Sequence, residues 1–192
     1  MSESTARRVR ADARRNIDAL LDAAKSVFAS SGVDAPVREI ATKAGVGVGT
    51  VYRHFPQRSD LVVAVFQHEV DETAVAAREL AAKHEPGQAL ALWLHRFAGF
   101  FATKRGLAAA LHSGDPAFSA LPAYFDAHLR SALESLLADA RTAGEIRADV
   151  DPNELLHAIA SLSAGEAPQP GYAQRMVDLL VDGLRYGAPT AT

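Results

Sequence analysis

The chain is predicted to be all-α, with about nine helices, on three observations. Apolar residues recur at three- and four-residue steps over long runs, as in a helix with one buried face. No stretch sustains the period-two alternation of a half-buried strand, and there are no internal repeats. The helical runs are separated by Ser31-Gly32, Glu85-Pro86-Gly87, Lys104-Arg105-Gly106 and Ser113-Gly114-Asp115-Pro116, residue types that stop helices and start turns.

Taken in order, residues 1–10 carry Arg7, Arg8 and Arg10 and no apolar stripe, and are expected to be a disordered basic arm. Such an arm contacts phosphates or enters a minor groove, or is simply a solvated tail. The first helix is expected over residues 11–30, with Ile17, Leu20, Leu21, Ala24, Val27 and Phe28 as its stripe. Arg14, Arg15 and Lys25 lie off that stripe, as phosphate contacts or solubilising charges.

The next two helices are expected over 37–44 and 48–55. Val37, Ile40, Ala41 and Ala44 share one face of the former, and Val51 and Phe55 one face of the latter. Gly45 stops the first because glycine enters the left-handed conformation without a Cβ penalty. Val46 plugs the turn, and Gly47 is a weak N-cap. Ala41 opposite Val51 allows two helices to cross at about 90–120° over a short turn. This is the spacing of a helix-turn-helix, although an ordinary helical hairpin has it too.

The outward residues decide between these readings. Thr50, Tyr52, Arg53 and His54, then Arg58, present hydroxyls, guanidinium groups and an imidazole, with no acid between Glu39 and Asp60. Those groups meet phosphates and base edges. Val48 and Gly49 open the same helix, and Arg38 on the preceding one reaches towards a base edge. Arg38, Val48, Gly49, Thr50, Tyr52, Arg53, His54 and Arg58 are therefore the candidate DNA-binding residues, with Arg58 on a phosphate.

The run from Val37 to Leu61, VREIATKAGVGVGTVYRHFPQRSDL, resembles the signature of the TetR (tetracycline repressor) family. The shared features are an Ile-Ala pair, Ala-Gly-Val, Tyr-x-His-Phe, a basic residue and a Leu. Two positions depart from it. Gly47 stands where the family often has Ser or Thr, which weakens the helix cap. Arg58 stands where Lys is usual, which keeps the charge. The resemblance covers roughly the first third of the chain. It implies three helices for DNA, six for ligand and dimer, an effector pocket, and a four-helix dimer interface built from the last two helices.

Behind Pro56–Asp60 a long helix is expected over 59–84, capped by Ser59 or Asp60, with Leu61, Val62, Val65, Phe66, Val70, Ala74 and Ala77 inward. Helices over 89–103, 107–112 and 121–143 follow. Asp151-Pro152 sets an N-cap and Pro at the first turn of another helix. A last helix spans 173–186. The expected organisation is thus a basic arm (1–10), a helix-turn-helix domain (11–57), an effector-binding and dimerisation domain (58–187) and a disordered tail (188–192).

The 192 residues are 48% hydrophobic and 22% charged, ordinary for a globular chain. Residues 1–60 hold ten basic and seven acidic residues, and residues 61–192 ten and 16, so a front of +3 joins a body of −6. A basic end on an acidic body suits a polyanion at that end. The absence of Cys excludes disulfides and thiolate metal sites. No run approaches the ~20 apolar residues that span a bilayer, and the N-terminus lacks a signal-peptide core. The expectation is a cytoplasmic protein with no membrane partner.

In the rear domain, Trp93, Phe97, Phe100, Phe101, Tyr124 and Phe125 are either core or the walls of an apolar pocket, with His95, His112 and His128 as polar groups. The candidate ligand residues are Trp93, Phe97, Phe100, Phe101, His112, Tyr124, Phe125 and His128. For the dimer they are Leu155, Ile159, Leu162, Met176, Leu180, Gly183 and Leu184. Gly183 costs a helix about 1 kcal/mol relative to Ala, which a close helix approach would explain.

Of seven His residues, none pairs at the metalloprotease spacing, and His68 with Glu72 supplies only two ligands. There is no nucleophile elbow, phosphate loop or dinucleotide fingerprint. No enzyme activity, cofactor or metal is expected. The expected function is a homodimeric, ligand-responsive repressor that binds a pseudo-palindromic duplex with its recognition helices about 34–36 Å apart. The alternative is a helical interaction protein whose helix-turn-helix does not bind DNA.

Overall fold

The structure is a computed structural model, which describes residues 2–102, 114–164, 169 and 171–186. These residues form eight helical runs and no strand: α1 (Ser2–Ser31), α2 (Val37–Ala44), α3 (Val48–His54), α4 (Arg58–Ala81), α5 (Pro86–Ala102), α6, α7 (Pro152–Ala164) and α8 (Tyr172–Arg185). The run α6 is composite. It is α-helical over Leu121–Phe125, takes one π turn at Asp126–Arg130, and is α-helical again over Ser131–Thr142. A 3₁₀ turn at Pro116–Phe118 is capped by Asp115, whose carboxylate accepts the Ala117 N–H. The helix expected over 107–112 lies outside the described residues.

Contacts divide the chain into two units. One holds α1, α2, α3 and α4 as far as His68, with the segment ending at Leu121. The other holds α4 from Glu69, α5, α6 from Pro122, α7 and α8.

In the first unit, α1 begins at Ser2, so residues 2–10 are its first turns and not the disordered arm that their composition suggests. No Gly or Pro occurs before Gly32, and Ala and Arg are good helix formers. Leu20, Leu21, Ala24, Val27 and Phe28 of α1 are buried with Ile40, Ala41 and Val51. α2 and α3 fall where the spacing places them. Gly45 caps α2 at φ +68°, and its N–H and that of Val46 return to Thr42 and Ala41. Asp60 does not cap α4 by the usual forward bond. Its carboxylate reaches back to the Gln57 N–H at 2.8 Å.

In the second unit α5 packs against α6, α7 and α8. Trp93 and Phe97 are fully buried on α5 and stack 5.4 Å apart. The indole N–H of Trp93 donates to the Thr73 carbonyl at 2.8 Å, which satisfies its one polar atom. The Glu145 carboxylate caps α5 by accepting the Gly87 N–H at 2.8 Å. Asp151 accepts the N–H groups of Asn153 and Glu154 at the start of α7, the cap that Asp151-Pro152 predicts. No helix among the described residues is long and apolar enough to cross a membrane.

Candidate nucleic-acid interface

The helix-turn-helix is fixed from beneath. Ile40, Ala41 and Val51 are at most 1% exposed, so the inner faces of α2 and α3 are closed and their outer faces are determined. On that outer side Arg38, Val48, Gly49, Tyr52, Arg53 and His54 are exposed and Thr50 is half-buried. Of the two large hydrophobic residues on this face, Tyr52 is the more exposed, at 51% against 37% for Val48. A Cβ on Gly49 would meet only open space, so the backbone there is approachable. The Thr50 N–H donates to the Gly47 carbonyl at 2.8 Å. The arrangement offers cationic and hydroxyl groups on one face of a short helix. It is suited to phosphate oxygens and major-groove edges.

Arg58 is placed differently from the rest. Its Nη2 donates to the carbonyls of Val33 and Ala35, the latter at 2.6 Å, and its guanidinium lies 5.3 Å from the centre of the Phe28 ring. Burial pushes its pKa below the ordinary value, opposed by the attraction of Asp34. The group expected on a phosphate is therefore turned inward, where it ties α4 to the α1–α2 loop. Sequence spacing does not show this, because the partners are 25 and 23 residues away. His68 likewise faces α1, with Nε2 3.5 Å from Asp22 and Nδ1 4.0 Å from Asp18.

In the second unit the candidate ligand residues separate into two groups. Trp93, Phe97 and Phe100 are core: Phe97 lies 6.4 Å from Phe100, and each of these two lies 6.0 Å from Phe125 on α6. Phe101 and His112 lie outside the described side chains. His95 is spent on α8, with Nε2 2.9 Å from Asp178 and Nδ1 2.6 Å from Gln174. Tyr124 donates to Asp71 at 2.6 Å, and burial with that bond pushes its pKa up to about 12. Among the described candidates only His128, on the π turn, lines an open cleft, about 420 Å³ in volume, between α4 and α6.

The candidate dimer residues divide as well. Leu155, Ile159 and Leu184 are buried within the chain. Leu162, Met176 and Leu180 are half-buried, and Gly183 is exposed. Leu179, which the pattern did not single out, is 63% exposed on α8.

A buried two-helix crossing under a cationic outer face, followed by a separate helical unit, defines a helix-turn-helix regulator. Two family profiles match the chain: bacterial regulatory proteins of the tetR family over residues 20–65, and the C-terminal domain of SbtR-like transcriptional regulators over residues 85–186. Similar solved structures include the TetR transcriptional regulator SCO0520 from Streptomyces coelicolor. It is 36% identical at a TM-score of 0.77, and the match covers 91% of this chain and 99% of that one. A TetR regulatory protein from Mycobacterium vanbaalenii is 38% identical at a TM-score of 0.72, covering 92% and 99%. The HTH-type transcriptional regulator SAUSA300_2515 of Staphylococcus aureus (strain USA300) is 38% identical over 64 residues. That match takes in 33% of this chain and only 35% of the relative, about a third of its length. The chain belongs to the TetR family of bacterial transcriptional regulators.

Proposed function

We propose that this protein is a homodimeric transcriptional repressor that binds a pseudo-palindromic operator through α3 and leaves it when a small molecule binds the rear unit. The observation that carries the DNA reading is the outer face of α3. Tyr52, Arg53 and His54 stand exposed on a helix whose other side is locked by Val51. Arg38 adds a cation from α2. Two copies would address successive major-groove faces, and the pairing surface is the exposed side of α8 around Leu179 and Gly183.

Ligand control follows from that geometry. Both recognition helices must sit in their grooves at once, so a ligand that prefers a different spacing weakens binding. A preference of ~10²-fold corresponds to about 2.7 kcal/mol. α4 is one uninterrupted helix from Arg58 to Ala81 and is the element through which such a preference would act.

Selection from a random duplex library, with the full chain at two salt concentrations, tests this reading. Enrichment of a palindrome, with affinity falling steeply as salt rises, is the expected result. No enriched sequence and no binding at low salt would leave the helix-turn-helix without its partner.

A further inference from the structure

The cleft between α4 and α6 has a composition that none of the aromatic core residues predicts. Its floor includes Ala77 and Leu136, both buried, and its walls are alanines and the serines Ser131 and Ser135. Short side chains on both helices leave about 420 Å³ unfilled, within the usual range for a small-molecule site. Arg78 is the one cation among the lining residues, and none of them is acidic. Arg78 is exposed and makes no ion pair among the described residues.

The π turn supplies the second polar group. His128 Nδ1 lies 2.7 Å from the Tyr124 carbonyl, so Nδ1 must carry the proton and Nε2 is the ring's remaining polar atom. The Tyr124 ring covers one face of the imidazole, at a centroid distance of 4.0 Å and 24°. Tyr124 is itself held to α4 through Asp71. The imidazole is thus fixed by Tyr124 while the residue stays exposed and lines the cleft. π turns of this kind occur often at functional sites.

We propose that this cleft binds a compact aromatic carboxylate. The carboxylate pairs with Arg78, a planar fork suited to two parallel bonds. The ring lies over the alanine walls and beside the His128 imidazole. The inference rests on the reading that the rear unit binds the effector, and it names the chemical class of that effector and its place.

The test uses the full-length protein and 2-naphthoate as the probe, by calorimetric titration. The alcohol 2-naphthylmethanol is the uncharged control. Naphthoate is expected to bind and the alcohol to bind at least tenfold more weakly. Arg78→Gln is expected to reduce naphthoate affinity at least tenfold, and Ala132→Leu, which fills the cleft, to abolish binding. Circular dichroism checks that both variants fold. No binding at millimolar naphthoate overturns the proposal. So does equal binding of the alcohol, or binding unchanged by both folded variants. Operator affinity of the same samples is measured separately. Naphthoate binding without any DNA binding removes the repressor reading and keeps the site. DNA binding without naphthoate binding removes the site and keeps the repressor.

Discussion

The guanidinium of Arg58 lies 5.3 Å from the centre of the Phe28 ring while its Nη2 donates to the carbonyls of Val33 and Ala35. One side chain at the start of α4 therefore holds the end of α1 and the loop that leads into α2. Arg58→Ala removes two charge-assisted bonds and a cation–π contact, and is expected to cost about 2 kcal/mol. Chemical denaturation measures this. A phosphate-binding arginine would behave differently: its loss would lower the salt dependence of DNA binding by about one counterion. For Arg58→Ala that slope is expected to stay unchanged among molecules that remain folded.

Gly45 makes the turn between α2 and α3 at φ +68°, and an added Cβ would touch nothing. The cost of Gly45→Ala is therefore backbone strain alone, about 1–2 kcal/mol. A loss of that size in thermal or denaturant unfolding is the expected result. A stabilised variant would show that the turn does not need the left-handed conformation.

Tyr124 donates to Asp71 and titrates at about 12, above the ordinary value of 10.0. A phenol whose folded pKa is raised contributes stability in its neutral form. The contribution is complete below pH 10 and is lost as pH rises towards 12. Ultraviolet titration of the four tyrosines should show one late component, and Tyr124→Phe should remove it. The variant should also lose less stability than the wild type across that interval.

Leu179 is 63% exposed on α8, one turn before the exposed Gly183, whose added Cβ would meet open space within the chain. An apolar side chain beside a glycine on a helix surface fits close approach of a second helix. Leu179→Glu is expected to shift the protein from dimer towards monomer without unfolding it. Analytical ultracentrifugation reads this directly, and an unchanged sedimentation coefficient would place the dimer contact elsewhere.

The helix-turn-helix is legible in the sequence because local rules govern it. Gly45 sets the left-handed cap, and Ile40, Ala41 and Val51 recur at the spacing of a buried crossing. The start of α1 is less legible: residues 2–10 lack an apolar stripe, so periodicity gives no helix signal, although Ala and Arg favour one. The inward turn of Arg58 depends on carbonyls far away in the chain. Trp93, Phe97 and Phe100 read equally well as core or pocket wall, because periodicity shows which face is buried and not whether the space beyond it is filled. The open cleft is lined by alanine and serine, which carry no pattern. The π turn that holds His128 leaves no mark in the residue spacing either.

The most direct measurement is the affinity of the selected operator for the wild type, Tyr52→Ala and Arg38→Ala, by fluorescence anisotropy at fixed salt. Both side chains are exposed on the outer face, so neither change should alter stability by more than about 0.5 kcal/mol. Each variant is expected to lose about 1–3 kcal/mol of binding, roughly a five- to 150-fold weaker complex. If both bind the operator as tightly as the wild type, the outer face of α2 and α3 is not what reads DNA.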